Sequence, residues 1–337
     1  MQPAPEKILA IQLRSLGDAV LLIPSLMAIR DRFPGCELHV LVHEAAMPLL
    51  RHHPAVNRVW GFQRKRKGRF AKTWPVLRAL RAERFDRSVD FSGNDRSAIA
   101  SIFAGARERL GLLQSGGFLG RRLCYTQLIP MAPFDRHETL RSLHVLSGWE
   151  ISPPGKIAIQ LHTDPTVDST PSERQIICHV GAGMPKKEWP VEHWAELHRL
   201  ATAAGYRMVF MRAADAREQA LIQKLQTLAP DATVLPALDL ARLLGVLKSA
   251  GAVISSDTGP MHMAAALGVP TVAMFGPSSL RQWAPIGPNC RAIQAPGCSC
   301  DGASHTCRSA KHCMSNITPA QVLRELQALT PVEIVRS

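Results

Sequence analysis

The chain opens on an almost unbroken apolar run, Lys7 to Leu13, which ends in the polar turn R-S-L-G-D before a helical pattern sets in from Ala19 to about Phe33. Parallel strands are covered on both faces by crossover helices, so they read as continuous hydrophobic stretches and not as alternating ones. The opening is therefore the start of a βαβ unit. Glu37 to Val42 supplies the next strand, after Pro34 and Gly35, and Ser88 to Phe91 another, which ends at S-G-N-D. Between Ser152 and Arg174 the pattern gives way to Pro, Thr and Asp, with Pro153, Pro154, Pro165 and Pro171, and the domain boundary is expected there. The alternation then restarts with a strand at Gln175 to Val180, a helix at Val191 to Gly205, a strand at Arg207 to Met211 and helices at Asp215 to Ala229 and Asp239 to Ser249. A last helix is expected at Pro319 to Leu329. These elements predict an α/β fold of two Rossmann-like wound sheets, residues 1–165 and 170–337, facing across a cleft at the carboxyl ends of their strands, with the final helix able to pack back on the first domain.

The stretch Ser255 to Pro277, S-S-D-T-G-P-M-H-M-A-A-A-L-G-V-P-T-V-A-M-F-G-P, compresses a strand end, a polar turn, a helix of small residues and a second strand. Pro260 stands where the first helical turn begins, Thr258 is a candidate cap, and Gly259 lets another group approach the backbone. The unsatisfied N–H groups of such a helix start carry about half a positive charge, which makes the turn a site for a phosphate. An ordinary strand-to-helix turn has the same spacing, so this feature alone does not decide.

With 337 residues, 46% of them hydrophobic, the chain can bury a large core. Its formal charge of +13 favours acidic partners, whether nucleic acid, an anionic membrane face or a phosphorylated substrate. No apolar run reaches the roughly 18 residues that span a bilayer, and Met1 to Lys7 lacks the order of a secretory signal, so a cytoplasmic protein is expected. The densest charge lies between Arg58 and Arg87, where Arg64, Lys65, Arg66, Lys67, Arg69, Lys72, Arg78, Arg81 and Arg84 face only Glu83 and Asp86. Phe62, Phe70 and Trp74 are interleaved, which suits an anionic membrane surface or a phosphorylated acceptor, although a solvated helix and loop fits as well. No nucleic-acid signature accompanies the charge, and no nucleic-acid partner is expected. Of eight cysteines, Cys298, Cys300, Cys307 and Cys313 crowd one stretch as C-x-C-x6-C-x5-C. This is not a standard zinc pattern; a structural zinc and plain reduced thiols both remain open.

Three separate motifs coincide in one family. Ile8 to Leu26, I-L-A-I-Q-L-R-S-L-G-D-A-V-L-L-I-P-S-L, His179 to Pro190, H-V-G-A-G-M-P-K-K-E-W-P, and Asp257 to Gly268, followed by F-G-P at Phe275 to Pro277, stand in the order and separation found in glycosyltransferase family 9. The chain resembles the lipopolysaccharide heptosyltransferases of that family nearly end to end. The resemblance implies a GT-B architecture, with the acceptor held by the first domain and a nucleotide-sugar by the second. It implies an inverting transfer of heptose from ADP-heptose to an anionic, lipid-linked inner-core saccharide at the cytoplasmic face of the inner membrane, with peripheral membrane contact and no catalytic metal or other cofactor.

On those terms Asp18, after Gly17, matches the family's general base, although an aspartate at a helix start is also favoured simply as a cap. Lys187, with Lys186 beside it, matches the lysine that neutralises the departing phosphate. Gly181, Gly183, Asp257, Thr258, Gly259, Met261 and His262 would line the donor site, and Arg14 with Gly17 would meet the acceptor. The family often carries a glutamate after the strand at Arg207 to Met211 that meets the donor's ribose. Here the sequence reads R-A-A-D-A-R-E, and Asp215 or Glu218 is the substitute. Other nucleotide-sugars, a protein acceptor, or a non-catalytic nucleotide-sugar or nucleic-acid binder are the alternatives. A nicotinamide enzyme is disfavoured, since no G-x-G-x-x-G follows a strand.

Overall fold

The first apolar run forms β1 (Lys7–Gln12), and Ile8 to Ile11 are wholly shielded from solvent, as a strand covered on both faces requires. The structure is a computed structural model that describes residues 5–63, 73–133, 135–164, 172–298 and 313–330. Around β1 lie β2 (Glu37–His43), β3 (Arg58–Phe62), β4 (Arg87–Asp90), β5 (Glu108–Leu113) and β6 (Gln127–Pro130). All pair in parallel, in the order β3-β2-β1-β4-β5-β6. The helices of this unit are α1 (Leu16–Leu21), α2 (Ile23–Arg32), α3 (Met47–Leu50), α4 (Trp74–Ala82), α5 (Asp95–Ala104) and α6 (Glu138–Val145).

The expected helix from Ala19 to Phe33 is two helices. A capping box at Ser15 starts α1 earlier than the apolar pattern suggests, and Pro24 in the first turn of α2 cannot donate a backbone hydrogen bond, so the chain re-starts at Leu22. The strand at Arg58–Phe62 lies inside the basic run, where charge hid a short apolar core.

The second unit repeats the design with β7 (Ser172–His179), β8 (Arg207–Met211), β9 (Thr233–Val234), β10 (Ala250–Ser256), β11 (Thr271–Phe275) and β12 (Cys290–Gln294), again all parallel, ordered β12-β11-β10-β7-β8-β9. Counted from its own first strand, this is the same winding as in the first sheet. Its helices are α7 (Val191–Ala203), α8 (Ala216–Leu228), α9 (Leu240–Ser249), α10 (Gly259–Ala266), α11 (Leu280–Trp283) and α12 (Pro319–Leu329). The chain divides into two compact units at His162 and Thr163. The final helix packs its apolar face, Val322 and Leu326, into the core of the second unit, against α7, β11 and β12. Among the described residues no helix is long and apolar enough to cross a membrane.

Each sheet reverses its winding direction between its first and fourth strands. The loops leaving those two strands diverge, and the carboxyl ends between them are where open α/β sheets hold ligands. In the second unit the packing behind that edge is aromatic: Trp194 is fully buried and meets Trp189 edge-to-face at 4.9 Å and Phe210 at 6.1 Å. The Trp194 indole N–H has no hydrogen-bond partner among the described residues. Trp194→Ala is therefore expected to cost about 3–5 kcal/mol of stability, whereas Trp194→Phe, which keeps a ring and removes the unpaired donor, costs much less; chemical denaturation of the two variants checks the difference.

Candidate functional site

In the second unit the ends of β7 and β10 are register neighbours, with His179 opposite Ser255. Past these ends two loops converge. The loop after β10 carries Asp257 and Thr258 into α10, whose first turn holds Gly259 and Pro260. The loop after β7 runs through Gly181 and Gly183 to a short 3-10 turn, Pro185–Lys187. From that turn Lys187 reaches across 70 residues of sequence, its Nζ 2.6 Å from Asp257 Oδ2. The turn is pinned from behind by Trp189, fully buried, whose Nε1 donates to the Ile317 carbonyl at 2.9 Å. A cation, a carboxylate and a helix N-terminus thus sit together at one sheet edge.

Thr258 is the N-cap residue of α10, yet its hydroxyl makes no capping bond. It lies 2.8 Å from Ser255 Oγ and 3.3 Å from His179 Nδ1. The first-turn amides of α10 are therefore not consumed by the cap that the sequence suggested, and they retain their capacity for an anion. Met261, expected to line the donor site, turns its side chain into a buried cluster with Ala273 and Phe275. His262 is buried on the same helix.

The two acids expected near the donor, Asp215 and Glu218, have different surroundings. Asp215 is exposed and caps α8, accepting from the amides of Arg217 and Glu218 at 3.0 and 3.1 Å. Glu218, three residues on, is buried, with Oε2 3.4 Å from His179 Nε2 and accepting from the Ala213 amide. Helical spacing turns the two acids to different surroundings, and the inward one is Glu218. Gly181 is required beside it: a Cβ there would stand 2.0 Å from the Glu218 carboxyl carbon, whereas Gly183 has open space. Arg217 clamps the same loop, bonding the Ala182 carbonyl and lying 3.3 Å from Glu188 Oε1. Burial works to raise the Glu218 carboxyl, but the His179 contact, the Ala213 amide and the Arg217 charge outweigh it and hold the group below its ordinary value.

In the first unit the corresponding edge joins β1 and β4. Ser92, after β4, accepts from the Leu13 amide at 2.6 Å and donates to Gln12 Oε1 at 3.1 Å, and Gln12 Oε1 also accepts from the Arg14 amide. Behind it Asp90 accepts from Ser92 N, Gly93 N and the Tyr125 hydroxyl, the last at 2.6 Å. Burial pushes the Asp90 carboxyl up against the pull of these donors, and burial with the adjoining carboxylate pushes the Tyr125 phenol far up. This network fixes the backbone that carries Arg14 and the Ser15 cap. Asp18 closes that cap reciprocally: its Oδ2 accepts from Ser15 N at 3.0 Å and Ser15 Oγ at 2.6 Å. Its other oxygen, Oδ1, is buried without a hydrogen-bond partner among the described residues, with Arg14 Nη1 3.6 Å away. Arg14 itself is 39% exposed and held at 2.8 Å by Glu138, which also pairs with Arg141.

The sequence profile of glycosyltransferase family 9 (heptosyltransferase) matches residues 73–313. The chain belongs to this family. Lipopolysaccharide heptosyltransferase 1 of Pseudomonas aeruginosa is 29% identical to it over 81% of the chain and 79% of that protein. Lipopolysaccharide heptosyltransferase 2 of Escherichia coli is 28% identical over 96% and 98%. Among solved structures, the E. coli heptosyltransferase WaaC with ADP superposes with a TM-score of 0.75 at 22% identity, covering 96% of this chain and 99% of that one. The GT-B architecture is thus that of the family's solved members.

Other residues singled out in the sequence are described only in part. Lys65 and its basic neighbours at 64–72 lie outside the described residues. Of the described arginines in that run, Arg58 pairs with Glu83 at 2.7 Å and Arg87 with Glu108 at 2.9 Å, so part of the charge is neutralised. Cys300 and Cys307 likewise fall outside the description; Cys298 is half-buried and Cys313 buried. Among the described residues, Glu37, His39 and Glu83 come together as metal-type ligands, but Lys7 Nζ already stands 3.0 Å from both carboxylates. Residues not singled out in the sequence include His179, Ser92, Asp90 and Tyr125. Their only local signal was a position at or just past a buried strand end; Tyr125 had none, because it reaches Asp90 across 35 residues.

The Glu218 arrangement fixes a pH dependence. A carboxyl held below its ordinary value stabilises the fold when ionised; that contribution is present above about 4.5 and is lost as the pH falls through the lowered folded value. The stability gap between the wild type and Glu218→Gln should be open at neutral pH and close as the pH is taken below 4.5, measured by thermal melting across a pH series.

Proposed function

We infer that this family 9 enzyme transfers heptose from ADP-heptose to an anionic inner-core saccharide of lipopolysaccharide, with inversion at the anomeric carbon. The observation that carries the reading is the convergence of Lys187, Asp257 and the unconsumed amides of α10 at one sheet edge. A leaving diphosphate gains charge as the glycosidic bond breaks, and fixed donors aimed at that charge lower the barrier more than they lower the ground state. Lys187 supplies a mobile point charge and α10 a fixed one. Asp257 parks the lysine until the phosphate arrives. Gly181 and Gly183 give the diphosphate a close approach to backbone, and Thr258, Gly259, Met261 and His262 bound the same pocket, Met261 through its main chain. Glu218, not Asp215, is the acid assigned to the ribose side of the donor.

The acceptor belongs to the first unit. Asp18 is the proposed general base: Ser15 immobilises one carboxylate oxygen and leaves Oδ1 to take the hydroxyl proton during attack. Arg14, beside Gly17, is exposed enough to meet an acceptor anion. Since cationic protein groups face the diphosphate, no metal is assigned to the chemistry, and a zinc at the cysteine stretch would be structural. An acceptor tethered to lipid places the enzyme against the inner membrane, on its cytoplasmic side.

Asp18→Asn keeps acceptors for the Ser15 cap but cannot take a proton, so transfer should fall by roughly 10²- to 10⁴-fold while the melting-temperature rise caused by ADP-heptose is retained. Lys187→Met should lower the rate by roughly 10²- to 10³-fold and also weaken that rise. Transfer by a fully folded Asp18→Asn protein at the wild-type rate would overturn the assignment. Activity should survive exhaustive chelation, and the product anomer, read by NMR, should be inverted.

A further inference from the structure

The first unit carries, on the face formed by α4 and α5, a feature that the transfer reading does not use. Positions 74, 77, 78 and 81 of α4 fall on one helical face, and they meet Ile102 and Phe103 of α5 around an open groove of about 440 Å³. Its walls are almost wholly apolar. Trp74 is 57% exposed, and its ring stands edge-on to Phe103 at 5.6 Å; Ile102 and Phe103 are each more than two-fifths exposed. Large side chains in contact with one another, all open to water, mark a surface built to be covered.

The rim says what covers it. Arg78 and Arg81 line the groove, and neither has an acidic partner among the described residues. The acid nearest in sequence, Glu83, is already committed to Lys7 and Arg58. Arg81 lies over Gly105, where a Cβ would collide with its guanidinium, so this arginine is held against the end of α5 with its charge on the surface. A second copy of the chain laid symmetrically on the groove would bring these arginines against themselves, which disfavours a dimer there. A partner that is anionic above and hydrocarbon below satisfies both parts of the groove at once. An amphipathic tryptophan flanked by arginines is the arrangement that settles at the headgroup level of a bilayer.

We propose that the α4–α5 groove is a membrane-docking surface that seats the first unit on anionic phospholipid, with Trp74 and Phe103 inserted and Arg78 and Arg81 on the headgroups. It goes beyond the transfer reading and names the surface by which such an enzyme meets the membrane; vesicle binding is read without transfer, so either can fail alone.

The test uses vesicles of phosphatidylethanolamine with phosphatidylglycerol, and of phosphatidylcholine alone. The full chain should sediment with the anionic vesicles, less with the neutral ones, and release as salt is raised. Acyl-brominated phosphatidylglycerol should quench the emission component that Trp74→Phe removes. The double variant Trp74→Ser/Phe103→Ser should partition about tenfold more weakly or worse, and Arg78→Gln should lose part of the preference for anionic lipid. The double variant's melting temperature, with and without ADP-heptose, should match the wild type's. The proposal is overturned if the wild type ignores anionic vesicles, if the Trp74 component stays unquenched on bound protein, or if the double variant partitions like the wild type. A solution dimer that the double variant dissolves would also overturn it, since the groove would then belong to a second copy.

Discussion

Both halves of the molecule depend on one kind of pairing, that of a first parallel strand with a fourth. β1 pairs with β4 and β7 with β10, and in each sheet the chain winds outward on one side, returns to the centre and winds outward on the other. Where the direction changes, no crossover helix covers the strand ends, and backbone amides are left for something else to satisfy. The polar chemistry of each unit gathers at that place. In the first it is Gln12, Ser92 and the Ser15–Asp18 box; in the second it is His179, Ser255, Thr258 and the Lys187–Asp257 pair. The Ser15–Asp18 box and the Ser255–Thr258 contact are local, but the central pairing is what brings Leu13 to Ser92 and His179 to Thr258, partners each 79 residues apart in sequence.

That dependence explains what could be read from the sequence and what could not. The strand at Arg207–Met211 and the helix at Pro319–Leu329 were legible to the residue, since each is a local run whose apolar spacing and flanking Gly, Pro or Thr decide it. The pairing order was not legible, being a property of contacts far apart in the chain. Short strands under strong charge were missed for a related reason: Arg58–Phe62 needs the sheet edge to make it a strand. Thr258 shows the same limit at a single atom. Its position predicts a helix cap, but its hydroxyl has two competing partners, Ser255 and His179, and those take it.

The pair Asp215 and Glu218 shows how spacing separates two acids that composition treats alike. Three residues apart at a helix start, one becomes the cap and the other turns inward against His179 and the glycine loop. The sequence names both acids without separating them, because only the turn of the helix sets which faces inward. Gly181 adds the steric half of the case: the inward position is available to a glutamate only because the residue facing it has no Cβ.

A capping aspartate and a general base look like rival explanations of Asp18, yet the geometry makes them compatible. A carboxylate has two oxygens. Here the cap occupies one of them through two hydrogen bonds, while the other stays buried and has no hydrogen-bond partner among the described residues. A base needs a fixed direction for its lone pair more than it needs freedom, since a misplaced acceptor wastes most of the advantage of holding the reactants together. The cap supplies that fixation through the Ser15 amide and hydroxyl. Arg14, 3.6 Å from that oxygen, is drawn at 2.8 Å to Glu138 and so leaves it unoccupied. The feature that made the residue ambiguous in sequence, its place at a helix start, is therefore what equips it for the role proposed for it.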